Sequence, residues 1–347
     1  MTLKEIAEKA NVSISTVSRI INSADDNFAR KEVRDRVWSI IRETGYLPNQ
    51  SARELRKNEK LDGEKIHTLA CVFGRTRNAE DNPFFAQVAR AAEQQALRLG
   101  YVVTMSYSVF DIDNNASAQR FGGVKTDGAL ILGRFDRDMF KFFERYYKNI
   151  VFVGRNPIDA KWDQVICDGY AAAKTALEHL ISYGHRRIAY IGETQNEVRY
   201  SAYLDAVAEH GLEHSATLTA SFAQNSAGGY AGACFLLENA KPLPTAVFCA
   251  ADVMAIAAIK RFSEKGVPVP SEISVIGMDD IELAGFVSPM LTTVRIPKVE
   301  LGNVAARTLI DRINKVHKLP MKIFIPHELI RRESVGAGYI VDIGSGI

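Results

Sequence analysis

Hydroxyl groups and one guanidinium crowd into residues 13–22, SISTVSRIIN. Ser13, Ser15, Thr16 and Ser18 are short donors and acceptors, Asn22 adds an amide, and Arg19 carries a fork of N–H groups. Such a set suits phosphate oxygens and base-pair edges. Elsewhere the residue types that do covalent chemistry are scattered. Asp279 and Asp280 stand together, as paired carboxylates for acid/base work would, but no motif links a nucleophile to them. His327-Glu328 lacks the second histidine of HExxH, and no GxxxxGK[ST] loop occurs. His210 and His214 have ligand spacing, yet Gly211 falls between them at a helix end, so they read as exposed side chains. Gly344-Ser345-Gly346 sits in a loose tail, not in a strand–turn–helix elbow. Cys71, Cys167, Cys234 and Cys249 form no CxxC and read as reduced, mostly buried thiols. The expectation is a non-enzyme with no catalytic residue, metal or cofactor.

The N-terminal polar set needs helices to position it. Leu3, Ile6, Ala7 and Ala10 share one helical face, and Asn11-Val12-Ser13 interrupts it. Ser13 can cap a second helix whose apolar face is Val17, Ile20 and Ile21. Ile14, Ser15, Ser18 and Arg19 then lie on its other face. A third helix over about 30–44 uses Val33, Val37, Ile40 and Ile41, with Gly45 placed to end it. This is the pattern of a helix-turn-helix. Periodicity alone fits a plain three-helix scaffold equally well; the polar side chains of the second helix favour DNA. Residues 1–57 carry 11 Lys+Arg against 8 Asp+Glu, and the rest 32 against 33, so a mildly basic head joins a near-neutral body. Pro48 forbids a continuous helix onward, and Asn49 can cap a short one with Ala52 and Leu55 on one face. On its own that segment reads as a linker helix. Residues 58–65, NEKLDGEK, read as a flexible connector.

From Ile66 onward, apolar strands (HTLACVF, YVVTMSYS, DGALILG, NIVFVG, RIAYIG, TAVFCA, ISVIGMD) alternate with helices at about 84–99, 137–147, 170–183, 198–210, 226–238, 252–265 and 298–316. Alternation of this kind implies parallel sheets covered on both faces, and so many elements fit two α/β lobes better than one sheet. Ligands in such folds bind at the C-terminal ends of the strands. The chain has 347 residues, 47% of them apolar. That composition excludes general disorder and a disulfide scaffold. No apolar run approaches the ~18 residues of a membrane span. MTLKEIAEKA lacks the apolar core of a signal peptide, so a cytoplasmic location is expected.

Leu3, Ile6-Ala7, Ala10, Val12-Ser13, Thr16-Val17-Ser18-Arg19 and Asn22 closely resemble the head of the LacI/GalR family of bacterial repressors. The resemblance continues to about residue 334 through Asn82-Pro83-Phe84-Phe85, Gly184-His185-Arg186-Arg187-Ile188, Arg199, Asp252-Met254-Ala255, Ile273-Ser274-Val275-Ile276-Gly277, Asp279-Asp280, Pro289, Leu291-Thr292-Thr293-Val294 and Arg331. It implies a helix-turn-helix headpiece (1–47), a hinge helix (48–57), a linker (58–65) and a periplasmic-binding-protein-like body (66–340). Three crossings near 156, 295 and 320 would give an N-lobe of 66–156 plus 296–319 and a C-lobe of 157–295 plus 320–340. By the same resemblance Ile14, Ser15 and Arg19 face base edges, with Arg19 forked onto guanine, while Ser13, Thr16, Ser18 and Asn22 hold phosphates. Leu55 wedges into the minor groove, with Ala52 at its floor and Arg53 or Arg56 near phosphates. The effector site would draw on Arg199, Asp279, Phe84, Phe85, Phe222, Glu193 and Gln195. Read without the family, Arg199 is an ordinary surface helix arginine and Asp279 a strand-end turn residue.

Some positions depart from the family. Phe222 stands eight residues before Tyr230, where six is usual. Ala251 and Ile296 replace amides of some sugar-responsive members. Glu193 stands where a purine-responsive member would have arginine, and LILGRF (130–135) resembles galactoside-responsive relatives. The implied protein is a homodimeric repressor of a near-palindromic operator in double-stranded DNA, controlled by a small carbohydrate, with no membrane partner. The alternative is a non-sugar metabolite or a corepressor. The tail after Ser334 contains no leucine heptad, so a tail-built tetramer is not expected.

Overall fold

A computed structural model describes residues 3–13, 15–17, 20, 30–44, 66–74, 83–111, 124–135 and 137–338. The chain divides into two compact units, Met1–Ile66 and His67–Ile347. In the first, helix α1 (Leu3–Ala10) ends because Asn11 takes a left-handed φ of 52°. There Val12 N–H donates to Ala7 O and Asn11 N–H to Glu8 O, the double bond of a Schellman turn. Ser13 begins the next helix, as its sequence position implies. Its Oγ accepts from Thr16 N–H at 3.1 Å, and residues 15–17 and 20 are helical. Helix α2 (Lys31–Thr44) follows. Ile6, Ala7, Ala10, Val17, Ile20 and Val37 form the core of the unit, with Val12, Val33 and Ile40 half-buried around them. Arg36 Nη1 donates to Ala10 O at 3.2 Å, tying α2 to the end of α1. The hinge helix (48–57) and linker (58–65) of the sequence reading lie outside the described residues.

Among the described residues the second unit holds two six-stranded sheets. The strands of the first are β1 (His67–Phe73), β2 (Tyr101–Ser108), β3 (Gly128–Leu132), β4 (Ile150–Gly154), β5 (Asp163–Ile166) and β11 (Lys322–Phe324), in the order β11-β5-β4-β3-β1-β2. The second orders β12 (Glu328–Ile330), β10 (Thr292–Arg295), β9 (Ser274–Asp279), β8 (Ala246–Cys249), β6 (Ile188–Gly192) and β7 (Thr219–Ser221). All pairings are parallel except β10 with β12. Strands β3, β4 and β6 are buried along their whole length, as sheets covered on both faces require. The helices are α3 (Pro83–Arg98), α4 (Arg137–Tyr146), α5 (Gly169–Ser182), α6 (Val198–Glu209), α7 (Ser226–Asn239), α8 (Asp252–Glu264) and α9 (Lys298–Ile313). Helix α9 packs on α3 and on β3, β4 and β5, so it belongs to the first lobe. Gly302 permits this approach, since a Cβ there would stand 2.3 Å from Val88 O. Gly184 at φ 89° ends α5, with His185 N–H donating to Leu180 O. Among the described residues no helix is long and apolar enough to cross a membrane.

The sequence-based lobe boundaries need correction. β5 pairs with β4 and β11 with β5, so residues 157–166 and 320–324 belong to the first lobe. The chain crosses between Ile166 and α5, between β10 and α9, and between β11 and β12. The boundary slipped because β5 begins with two polar residues. Both are buried and saturated within the first lobe. Asp163 accepts from Arg312, His317 and Met321 N–H, and the Gln164 amide bonds both the N–H and the C=O of Ile158.

Ser13→Ala removes one N-cap acceptor from an otherwise correctly packed head. We expect a loss of about 1 kcal/mol in the head, seen as a lower unfolding midpoint by amide-resolved NMR, with the body transition unmoved.

Candidate functional site

On the head, the described polar residues form one hydroxyl cluster. Ser13 Oγ lies 2.7 Å from both Ser15 Oγ and Thr16 Oγ1. Ser13 and Ser15 are exposed and Thr16 half-buried, while Val17 points into the core. Ile14, Ser18, Arg19, Asn22, Ala52, Arg53, Leu55 and Arg56 lie outside the described residues.

The body site forms where the C-terminal ends of both sheets meet. Arg199, in the first turn of α6, is almost fully buried, at 4% exposure. Glu197 caps that helix and grips the guanidinium, Nε to Oε1 at 2.7 Å and Nη2 to Oε2 at 2.8 Å. Nη2 also donates to Gln224 Oε1 at 2.7 Å, and Nη1 to Ala250 O at 2.6 Å. Four of the five N–H groups of an arginine are thus engaged within the second lobe. Burial alone would raise the Glu197 carboxyl, but Arg199 holds it down at about 2.

Asp279 ends β9 with φ 125°, followed by Asp280 at φ 51°. Lys298, the first residue of α9, donates to Asp279 O at 2.5 Å and Asp280 O at 2.9 Å. Asp280 accepts from Arg295 at 2.7 Å and Arg332 at 2.6 Å, which binds the turn to β10 and to the chain just after β12. Behind it, fully buried Asp252 accepts from Thr293 Oγ1 at 2.6 Å and Ile281 N–H at 3.0 Å. Burial, then the neighbouring Asp279 charge, lifts the Asp252 carboxyl to about 7. Burial likewise raises Asp279, opposed by Arg155 and Arg199. Arg199 and Asp279, 80 positions apart in sequence, therefore share one electrostatic environment.

Two arginines of the first lobe reach across. Arg155, just after β4, brings Nη2 to 2.6 Å from Asp279 Oδ1, and its Cζ lies 4.3 Å from the Phe84 ring centroid. This is a close ion pair between the lobes, and it opposes the upward push of burial on the Asp279 carboxyl. Arg134, after β3, donates to Gln195 O at 3.0 Å and stands 3.7 Å from Glu193 and 3.9 Å from Glu197. Phe84 packs edge-on against Phe85 at 4.8 Å and is buried beneath Arg155. Phe222 stands just beyond β7, half-buried against the second-lobe core and 6.5 Å from Phe235. Gln195 is exposed and gives its carbonyl, not its amide, to the arginine.

The structure thus gathers Phe84, Arg199, Asp279, Glu193 and Gln195 at the interlobe cleft and adds Arg134, Arg155, Glu197 and Gln224. Sequence reasoning passed over these four because each is a common residue type, and Arg134, Arg155 and Gln224 stand far along the chain from their partners. Only the position of Arg134 inside LILGRF and of Glu197 two residues before Arg199 hinted at them. Among the described residues no cluster of His, Cys, Asp and Glu could hold a metal ion.

The two carboxyl shifts make opposite contributions to stability. Asp252 keeps its proton to about pH 7 when folded, against ~3.9 when unfolded. Folded protein therefore binds the extra proton, and stability falls as pH rises through that window. Glu197 contributes stability above its unfolded value that is lost as pH falls toward about 2. Asp252→Asn keeps an acceptor for Ile281 and removes the proton. Urea unfolding is expected to show its stability relative to the parent rising steadily from pH 4 to 7; a flat difference would contradict the assignment.

Comparison with known proteins places this geometry. Residues 2–49 match the model of bacterial regulatory proteins of the lacI family, and residues 177–335 that of a periplasmic binding protein-like domain. The chain is 31% identical to the HTH-type transcriptional repressor PurR of Glaesserella parasuis, over 96% of this chain and 98% of that protein. It is 32% identical to PurR of Erwinia tasmaniensis, over 97% of both. Its fold matches a transcriptional regulator CelR–cellobiose complex at TM-score 0.70 and 27% identity, covering 96% of this chain and 99% of that one. It also matches a lac repressor dimer bound to operator and the anti-inducer ONPF at TM-score 0.69 and 22% identity, covering 97% and 99%, a likeness of fold alone. With relatives of this similarity matching along nearly its whole length, the chain belongs to the lacI family of bacterial regulatory proteins and is a DNA-binding transcriptional repressor, not an enzyme.

Proposed function

We propose that this repressor acts as a cytoplasmic, nucleoid-associated homodimer on a near-palindromic operator, and that a small neutral carbohydrate in the interlobe cleft controls its affinity. The observation that carries the effector class is the pattern of unsatisfied polar atoms. Among the described residues four buried atoms at or beside the cleft want partners: Arg134 Nη1, Arg155 Nε and Asn156 Oδ1 lack hydrogen bonds, and Asp279 Oδ1 meets the Arg155 guanidinium of the other lobe. Buried polar groups without partners are costly and rare. Two are donors and two acceptors, which a ring of hydroxyls can satisfy, since each hydroxyl both donates and accepts. Charge supports the same class. Arg134, Arg155 and Arg199 balance Glu193, Glu197 and Asp279, so an ionic ligand would bring an uncompensated charge into a desolvated site. Phe84 would offer an aromatic face to a ligand that takes the place of Arg155. The CelR–cellobiose complex is a regulator of this fold with a sugar bound.

A purine base is the second reading, favoured by the likeness to repressors named PurR. Against it stands the carboxylate of Glu193, paired with Arg134 where that class would carry an arginine. Induction by release of DNA is the proposed outcome of sugar binding. The effector would act through its unequal affinity for the lobe arrangements that favour and disfavour operator binding.

A thermal-shift panel of mono- and disaccharides and purine bases on the full chain separates the two readings. A stabilising sugar that also weakens operator binding is expected, and Asp279→Asn should lose that response while keeping operator affinity. Stabilisation by purine bases alone would overturn the carbohydrate. Arg199 is a poor test residue, because removing it strands the buried Glu197 charge at a cost of about 3–5 kcal/mol. On the DNA side, Arg19→Ala should lose discrimination at one guanine worth about 1–3 kcal/mol. Selection from randomised operators reads this directly, and a uniform loss across all sequences would restrict Arg19 to phosphate.

A further inference from the structure

We infer that Arg155 is an internal competitor for the effector, a latch that holds the cleft shut by occupying the groups a sugar would use. This deepens the carbohydrate reading and rests on it for the identity of the ligand. Arg155 covers the face of Phe84 and meets the carboxylate of Asp279 in the opposite lobe. An aromatic face and a carboxylate for adjacent hydroxyls are the two features that a sugar ring requires. The bridge is incomplete: Asp279 Oδ1 meets the guanidinium at Nη2, while Arg155 Nε is buried without a hydrogen bond. A permanent structural pair gains from saturating its remaining lone pairs and protons; a placeholder has no such need.

Arg134 makes a parallel contact to the 193–197 loop of the other lobe. Both arginines leave first-lobe strand ends and end on the second lobe, so separating the lobes breaks both. Lys298 makes the exchange mechanically relevant. It begins the first-lobe helix α9 yet holds the carbonyls of the Asp279–Asp280 turn. Replacing a guanidinium by hydroxyls at Asp279 therefore acts on a turn anchored to both lobes. Arg155 is in this sense a specificity residue. Only ligands that satisfy Asp279 better than a buried arginine does can open its place.

Hydrogen–deuterium exchange on the full chain without ligand tests the latch. Arg155→Leu should raise exchange about fivefold or more not only around residues 153–157 and 278–281 but also at the Arg134 latch in 193–197. The reversed pair Arg155→Asp with Asp279→Arg should restore protection at both. Changes confined to the two mutated segments, or no change, would overturn the latch. If Arg155→Leu does not fold, Arg155→Lys, which keeps the charge and loses the fork, should show a smaller rise at the same distant segment. Cellobiose is the probe for competition. Its affinity for Arg155→Leu should exceed that for the parent by about tenfold, because the closed fraction no longer discounts binding. Equal affinities would refute competition. Failure of cellobiose and the wider sugar panel to bind either protein would remove the carbohydrate reading and leave the latch to be judged by exchange alone.

Discussion

Charges taken out of water must be paired or neutralised, and the body of this repressor is arranged around that requirement. Glu197 and Arg199 neutralise each other inside the second lobe. Among the described residues, no cation of its own lobe stands within ion-pair distance of Asp279, and Arg155 comes to it from the first. Asp252, deeper still, finds a hydroxyl and an N–H but no cation, and its carboxyl instead shifts to about 7. Three buried acids therefore use three solutions: a local pair, a cross-lobe pair and proton uptake. The cross-lobe pair depends on lobe geometry, which makes the cleft sensitive to anything that competes for Asp279.

The backbone around Asp279 carries the same constraint. A φ of 125° followed by 51° is sparsely populated for aspartate, so surrounding bonds must hold the turn. Asp252 fixes Ile281 N–H, Arg295 and Arg332 fix the Asp280 carboxylate, and Lys298 fixes both carbonyls. Arg295 and Lys298 flank the middle crossing, so the segment joining the lobes is bound to the effector-side turn. Strain of this kind concentrates where a protein must choose between arrangements.

Much of the fold was legible because burial leaves a periodic trace. HTLACVF and YVVTMSYS became strands over the residues read from sequence, and Ile6, Ala7, Ala10, Val17, Ile20 and Val37 became the head core. Gly100, Gly184, Gly211 and Gly266 each stand two residues past a helix, and all have positive φ. The failures share one cause. β5, β7, β10, β11 and β12 are three or four residues long, too short for a period, and Asp163 and Gln164 hide a buried strand behind polar side chains. The site was legible only in part for a related reason. Resemblance pointed to Arg199 and Asp279, but their partners are set by tertiary geometry. Arg155 is 124 positions from Asp279, and nothing in the local sequence distinguishes it from a surface arginine.

The likeness to repressors named PurR and to a CelR–cellobiose complex shows why family alone does not choose an effector. A shared scaffold fixes where ligands bind, at the strand ends between lobes, while the side chains there decide which ligand is satisfied. In this chain those side chains are three guanidiniums against three carboxylates. A planar base offers few donors and acceptors, confined to its edge, and would have to leave several of these groups unpaired at a cost of about 1–3 kcal/mol each. A polyhydroxylated ring presents donors and acceptors around its whole rim and can replace the guanidinium at Asp279 without changing the net charge of the cleft. The proposed effector class thus rests on how many buried polar atoms the closed cleft leaves to be satisfied and how they are spread around it.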